Sequence, residues 1–320
     1  MQQKLSFDHL LSSNQISKDD ISIIFDLSQK YHNEFGQSKA QKDRKSLHDC
    51  QDYILATLFF EPSTRTRFSF ESAMQKLNGK IISLEQGLFS SIKKGESLED
   101  MGRVFSKYSD LVVIRHPEMD SAKKFSKYSS IPVINGGDGA NEHPTQSLTD
   151  LYTIKQTKNR LDNLVIGIVG DLKYSRTAYS LIKLLSLYPN NEFILISQEI
   201  ARLKDSHKEK LLNNNINLRE TINIEDEIAN LDVLYVVRTQ KERFASEDEY
   251  KKVNGKYLIN NNLLKKAKKD LTIMHPLPRL DEIDTEIDSD QRSKYFFQAE
   301  MAVFVRMALI NLMKDHKVEF

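Results

Sequence analysis

Arginine and histidine stand in polar turns at or soon after the ends of six apolar runs, and cationic side chains gathered at strand ends suit the holding of anions. Residues 53–60 lead to Ser63-Thr64-Arg65-Thr66-Arg67, residues 111–114 to Arg115-His116, and residues 131–134 to His143-Pro144-Thr145-Gln146. Residues 164–169 lead to Arg176, residues 231–237 to Arg238, and residues 271–274 to His275-Pro276-Leu277-Pro278-Arg279. In open α/β sheets, ligands bind outside the carboxyl ends of the strands, which is where these turns would lie.

The first turn carries the fullest set of groups. The strand breaks at Pro62, and Ser63 or Thr64 can cap a helix that runs through Phe68, Ala73, Met74 and Leu77 to Gly79. Helix N–H groups, the helix dipole, hydroxyls and a guanidinium then converge as they would on a phosphate. The bland alternative is an ordinary N-cap with two surface arginines. Ser175-Arg176-Thr177, after the run 164–169, repeats the pattern at another helix start.

Arg115 follows a run apolar enough to be buried on both faces, so it needs an anion or a structural partner such as Glu118 or Asp120. Arg176 and Arg238 face the same choice, with Asp171, Glu242 and Asp232 nearby in sequence. Two arginines suit a small dicarboxylate, because guanidinium binds carboxylate in a bidentate way. His143 precedes a proline at a helix start, where the positive helix end favours an uncharged imidazole able to donate to a carbonyl oxygen; an exposed surface histidine is the alternative. The loop Gly136-Gly137-Asp138-Gly139 lets backbone approach a ligand, or is an ordinary turn. Ser90-Ser91-Ile92-Lys93-Lys94-Gly95-Glu96-Ser97 reads as an exposed loop, or as a lid that brings Lys94 to an anion.

These turns need a scaffold of alternating strands and helices. The 320 residues suit two domains, and the alternation predicts an α/β fold: two doubly wound parallel-sheet domains facing a cleft. A helix covering residues 21–35 opens after Ser17, and the domain boundary is expected across the helix that starts at His143. The first domain would cover residues 1–149 and the second 150–297. A very apolar last helix, 298–320, would pack back on the first domain.

Lys plus Arg (46) nearly balance Asp plus Glu (45), which removes the basic excess of a general nucleic-acid binder. The residues 1–13 lack a charged start followed by an apolar stretch, and no uninterrupted apolar run of membrane length occurs, so a soluble, cytoplasmic protein with no membrane partner is expected. The single cysteine, Cys50, reads as a passive thiol. There is no Walker A sequence, H-E-x-x-H, GxGxxG after a strand, or evident acid and base pair, so neither metal nor cofactor is expected. The chemistry suggested is positioning and cationic stabilisation.

Taken in order and spacing, Ser63-Thr64-Arg65-Thr66-Arg67, His143-Pro144-Thr145-Gln146 and His275-Pro276-Leu277-Pro278-Arg279 resemble the aspartate/ornithine carbamoyltransferase family. Lys93-Lys94-Gly95-Glu96, residues 170–177 and residues 238–243 are similar to its aspartate branch; ornithine enzymes usually show His-Cys-Leu-Pro where this chain has His275-Pro276-Leu277-Pro278. The resemblance implies a first domain for carbamoyl phosphate, a second for L-aspartate, and transfer of the carbamoyl group to the aspartate amine in de novo pyrimidine biosynthesis. By the same resemblance Ser63, Thr64, Arg65 and Thr66 hold phosphate. Arg115, His143, Gln146 and the Leu277 and Pro278 backbone hold the carbamoyl end, and Arg176, Arg238 and Gln240 hold aspartate. Lys94, with Ser90 or Ser91, would come from a neighbouring subunit of a homotrimer, and a separate regulatory chain is compatible with that assembly. Glu300-Met301-Ala302 departs from the Glu-Asn-Gly of many members and puts the start of the last helix in question. A carbamoyltransferase for another amine, a non-catalytic anion sensor and a nicotinamide dehydrogenase are the competing readings.

Overall fold

The computed structural model describes residues 4–36, 47–85, 95–139 and 141–318. Ser90, Ser91, Lys93 and Lys94 lie outside the described residues. The chain divides into two compact units, Met1–Thr149 with Glu300–Phe320, and Asp150–Ala299.

In the first unit α1 (Lys18–Phe35) opens with a reciprocal cap: the Ser17 hydroxyl accepts the Asp20 N–H, and the Asp20 carboxylate accepts the Ser17 N–H. Then come β1 (Ile54–Phe59), α2 (Thr64–Lys76), β2 (Lys80–Glu85), α3 (Leu98–Phe105), β3 (Leu111–His116), α4 (Ser121–Ser126) and β4 (Val133–Asp138). Among the described residues the strands form one parallel sheet in the order β2-β1-β3-β4. The middle strands are apolar because both of their faces are covered, and Leu58, Val112, Ile114, Phe125 and Val133 share one buried cluster. The Leu10 N–H donates to Val133 O at 2.9 Å and the Asn135 N–H to Leu10 O at 2.8 Å, so the N-terminal segment pairs with the open side of β4.

α5 (Pro144–Lys158) leads out of the first unit, whose N-terminal stretch ends at Thr149. The second unit contains β5 (Val165–Gly170), α6 (Arg176–Leu185), β6 (Glu192–Ile196), α7 (Asp205–Asn213), β7 (Asn217–Thr221), β8 (Val233–Val237), α8 (Glu247–Lys251), α9 (Asn261–Leu264) and β9 (Thr272–Met274). Its sheet is also parallel, in the order β7-β6-β5-β8-β9. The chain therefore forms two parallel-sheet α/β domains, and each sheet reverses its strand order once, between β1 and β3 and between β5 and β8.

Three local expectations are revised. The Gly136-Gly137-Asp138 stretch is the end of β4 rather than a loop; a Cβ on Gly136 would stand 3.2 Å from Val113 Cγ1, so glycine lets the strand lie close to β3. β3 runs on through Arg115 and His116, which are its last residues. The last helix, α10 (Tyr295–Met313), begins ahead of Gln298 and continues unbroken through the buried Met301 and Ala302.

From Glu300 onward α10 belongs to the first unit. There Phe304 stacks on His32 of α1 at 5.1 Å, the Arg306 guanidinium donates to the Ser69 hydroxyl of α2, and Asn311 Nδ2 donates to Tyr31 Oη at 2.6 Å. By length and composition α10 could cross a membrane, but 61% of its apolar window is buried inside the protein, as in a core helix.

Candidate active site

In the first unit the strand order sets three strand ends side by side. Phe59 is the register partner of Arg115, and His116 that of Asp138, so the turn into α2, the end of β3 and the turn into α5 are neighbours. Ser63 occupies the N-cap of α2 with extended backbone, and its side chain makes no cap bond. The first N–H groups of an α-helix have no carbonyl of their own helix to bond. Thr64 and Arg65 are exposed at that end, whereas Arg67 is spent on Glu85 and on Glu71 at 3.8 Å.

Arg115 lies beside this turn with its side chain only 12% exposed, its Nε 3.4 Å from Glu61 Oε2. Of the two carboxylates considered from sequence, Glu118 is engaged elsewhere. Glu118 pairs with Lys124, and Asp120 offers its N–H to Asp138 Oδ2 at 2.9 Å.

His143 is buried at the start of α5, where its carbonyl accepts the N–H groups of Gln146 at 3.0 Å and Ser147 at 3.2 Å. Its Nε2 lies 3.5 Å from Thr66 Oγ1 and its Nδ1 3.4 Å from Thr145 Oγ1, so the imidazole reaches the first turn of α2. Gln146 is half-buried one position beyond Thr145.

Two buried carboxylates hold the turn that carries His143, and composition gave no sign of them. Asp138 accepts from Asn135 Nδ2 (3.0 Å), the Glu142 N–H (3.1 Å), the Asp120 N–H (2.9 Å) and Asn141 Nδ2 (3.1 Å). Glu142 accepts from the Ser12 hydroxyl at 3.1 Å and the Ser13 hydroxyl at 2.6 Å. A buried carboxylate without such donors would be costly.

The second unit presents a parallel arrangement at its own reversal point. Gly170 ends β5 at φ 122°, and a Cβ there would fall 2.1 Å from Val237 O, so only glycine allows β5 and β8 to close up. Asp171 follows, fully buried, accepting the Tyr174 N–H at 3.3 Å and the Gln240 N–H at 3.2 Å. Burial pushes its carboxyl up to about 6, against the pull of those two bonds and of Lys173 and Arg243. Gln240 Nε2 donates to Tyr174 O at 2.9 Å while its Oε1 accepts from Arg243 Nε at 3.1 Å, so Gln240 and Asp171 tie the two turns together. Arg176 is the first residue of α6 and Arg238 directly follows β8, and both are half-buried.

At the end of β9, Leu277 takes φ 52°, a region that side chains bearing a Cβ seldom enter, and a cis peptide joins it to Pro278. Arg279 is held by Asp288 and by Tyr295 Oη at 3.1 Å.

Two family models cover this chain: the aspartate/ornithine carbamoyltransferase carbamoyl-P binding domain over residues 8–156, and the Asp/Orn binding domain over residues 162–313. The chain belongs to the aspartate/ornithine carbamoyltransferase family. Among its relatives in that family, the aspartate carbamoyltransferase catalytic subunit of Clostridium acetobutylicum is 51% identical over 83% of this chain and 87% of its own length. The corresponding subunit of Thermococcus gammatolerans is 46% identical over 95% and 96%. The catalytic subunit of M. jannaschii aspartate transcarbamoylase superposes with a TM-score of 0.88 at 44% identity, covering 96% of this chain and 98% of that one. The Trypanosoma cruzi aspartate transcarbamoylase, solved in complex with carbamoyl phosphate and aspartate, gives 0.87 at 32% identity, covering 97% and 99%.

Proposed function

We propose that this chain transfers the carbamoyl group of carbamoyl phosphate to the amine of L-aspartate, giving N-carbamoyl-L-aspartate and phosphate, the committed step of de novo pyrimidine biosynthesis. The observation that carries this reading is the pair of strand-order reversals, each flanked by arginine and a helix start, in a chain whose relatives are aspartate carbamoyltransferase catalytic subunits.

Ser63, Thr64, Arg65 and Thr66 take the phosphate at the start of α2. Arg115, His143 and Gln146 hold the carbamoyl oxygen and its neighbours, and the Leu277 and Pro278 backbone carbonyls accept the carbamoyl N–H groups. Arg176 and Arg238 take the aspartate carboxylates; Gln240 adds its second amide N–H, since a primary amide has two donors and Tyr174 takes one. Ser90 and Lys94 enter from a neighbouring subunit of a homotrimer, Lys94 serving both substrates. A separate regulatory chain is compatible with this assembly, and the enzyme works in the cytoplasm without a cofactor.

The chemistry follows from these groups. The uncharged amine attacks the carbamoyl carbon, a C–N bond forms, and the C–O bond to phosphate breaks. Negative charge grows on the carbonyl oxygen and on the departing phosphate, where Arg65, Arg115, His143 and Lys94 stabilise it. The leaving phosphate accepts the amine proton, so no protein base is required.

The test is phosphate release from carbamoyl phosphate with L-aspartate, with L-ornithine and without acceptor. Release with aspartate alone, matched by carbamoyl-aspartate, is expected. Release with ornithine would reassign the acceptor, and binding without release would overturn the catalytic reading.

A further inference from the structure

The turn that carries Leu277 opens at His275 and closes at Glu282, and both side chains are buried, at 1% and 8% exposure. They face each other: His275 Nε2 lies 2.7 Å from Glu282 Oε1. The other ring nitrogen, Nδ1, accepts the Leu277 N–H at 2.8 Å, and the other carboxylate oxygen accepts the Leu280 N–H at 3.2 Å. A ring nitrogen that accepts a hydrogen bond carries no proton, so the imidazole has its proton on Nε2 and donates it to Glu282. The chain of bonds has one direction throughout, from the Leu277 N–H into the ring and from the ring into the carboxylate.

Leu277 needs such a hold. Its positive φ costs free energy for a residue with a Cβ, and it persists only where the surroundings impose it. Its side chain packs against the core cluster of the second unit, which anchors one side of the residue. The His275 ring anchors the other. The backbone of His275 is fixed in turn, because its N–H donates to Gln298 Oε1 at 2.9 Å, Gln298 Nε2 donates to Asp150 at 2.6 Å, and Asp150 accepts from the buried Tyr235 hydroxyl at 2.8 Å. Burial alone would raise the Glu282 carboxyl, but the bonds from His275 and the nearby backbone outweigh it and hold the group below its ordinary range. An anionic partner on Nε2–H makes Nδ1 the stronger acceptor.

We propose that His275 and Glu282 are a positioning pair: Glu282 fixes the imidazole as the Nε2–H tautomer, and the ring's Nδ1 holds the Leu277 N–H so that the Leu277 and Pro278 carbonyls stay aimed at the carbamoyl N–H groups. This deepens the proposed function and rests on it for the part played by those carbonyls. Neither side chain touches substrate in this scheme; both act through the backbone of the turn.

The test compares conservative and disruptive variants in the phosphate-release assay, with melting temperature measured alongside. His275→Asn keeps an oxygen that can accept the Leu277 N–H, and Glu282→Gln keeps an acceptor for Nε2–H. His275→Phe and Glu282→Leu keep neither. A displaced reacting group can cost about 100-fold, so the disruptive variants are expected to lose about that in kcat/KM for carbamoyl phosphate, with His275→Asn and Glu282→Gln within about tenfold of wild type. Inhibition by inorganic phosphate, which depends on the α2 turn, should hardly move, whereas a general loss of folding would move it equally. Equal losses in all four variants, or parallel weakening of phosphate inhibition, would overturn the proposal. Nitrogen NMR of the wild-type protein labelled at histidine gives a reading that needs no variant: an unprotonated Nδ1 at His275 is expected, and a protonated one overturns it. If wild type fails to carbamoylate aspartate, the functional reading falls while the tautomer measurement still decides the pair.

Discussion

At the start of α2 the N-cap serine, Ser63, makes no cap bond and Arg65 is exposed, whereas at the start of α6 Ser175 accepts the Ala178 N–H at 3.2 Å and meets the Thr177 hydroxyl at 3.2 Å. Both turns follow the C-terminal end of a parallel strand and join serine, threonine and arginine to a helix N-terminus. One uses its serine to complete the helix, and the other leaves that task undone. A cap oxygen occupies the place that a phosphate oxygen would take on the first-turn N–H groups. The α2 turn is therefore the one suited to a trianionic or dianionic group, and the α6 turn offers a guanidinium beside a finished helix, which suits a carboxylate.

The strongest way to break that contrast is to remove the two arginines. Arg65→Ala is expected to lose about 3 kcal/mol or more of transition-state stabilisation, seen mainly in kcat, because in the proposed reaction its charge acts on the departing phosphate. Arg176→Ala is expected to lose about 1.5 to 3 kcal/mol, seen mainly as a higher KM for aspartate, since in the proposed reaction its charged hydrogen bonds go to a carboxylate that does not react. Steady-state kinetics at saturating co-substrate separates the two. If Arg65→Ala raised only KM, or Arg176→Ala lowered only kcat, the assignment of the turns to phosphate and carboxylate would be reversed or void.

A buried carboxylate in each unit, Asp138 behind the turn that carries His143 and Asp171 ahead of the α6 turn, extends the contrast. Asp138 receives four hydrogen bonds in the first unit, whereas Asp171 receives two and its carboxyl is raised from 3.8 to about 6. A folded-state value above the unfolded one contributes stability that is complete below the unfolded value and is lost as the pH rises through about 6. Ionised Asp171 at pH 8 thus carries a cost of up to about 3 kcal/mol, given about 1.4 kcal/mol per unit. Asp171→Asn removes that cost and forfeits one acceptor, worth about 1 kcal/mol. Its effect should change sign, lowering the melting temperature at pH 4 to 5 and raising it near pH 8. Asp138→Asn turns an amide NH2 towards existing donors and should destabilise by about 1 to 3 kcal/mol. Thermal melts across pH check both, and an Asp171→Asn effect that stayed constant with pH would refute the account of that carboxyl.

Which parts of this were visible in the sequence follows from burial and from distance along the chain. β1, β3, β5, β8 and β9 are covered on both faces and so announce themselves as apolar runs, and the turns at their ends could be read directly. β2 and β7 lie at sheet edges, and sequences such as Lys80–Glu85 and Asn217–Thr221 leave most side chains partly or fully exposed, so no apolar run marks them. β6 is also an apolar run, but Ser197, Gln198 and Glu199 follow it directly and the first cation, Arg202, stands six residues on. The side chains nominated for chemistry were legible because their types cluster in turns. Their supports were not: Ser13 meets Glu142 across 129 residues and Gln240 meets Asp171 across 69, and no local pattern reports such pairings. His275 and Glu282, only seven residues apart, were close enough to suspect, but the bond between them needs the fold of the intervening turn.

The smallest expected effect is also the most direct test of the contrast between the two serines. Ser175→Ala should cost about 1 kcal/mol of stability, the ordinary worth of a cap, because the Ala178 N–H loses its acceptor. Ser63→Ala has no cap bond to lose, so its melting temperature should match wild type while its affinity for carbamoyl phosphate falls by about 1.5 kcal/mol, roughly tenfold, for one hydrogen bond to a charged ligand. Placing the two variants side by side in thermal melts and in carbamoyl phosphate titrations gives a crossed pattern, stability lost in one and binding lost in the other. Had both serines served as caps, both variants would lose stability alike; had both held ligand, neither would. A capping hydroxyl still has its own O–H to donate, but its oxygen takes up a first-turn N–H that would otherwise be open to a phosphate oxygen, and that is the property by which the otherwise similar turns differ.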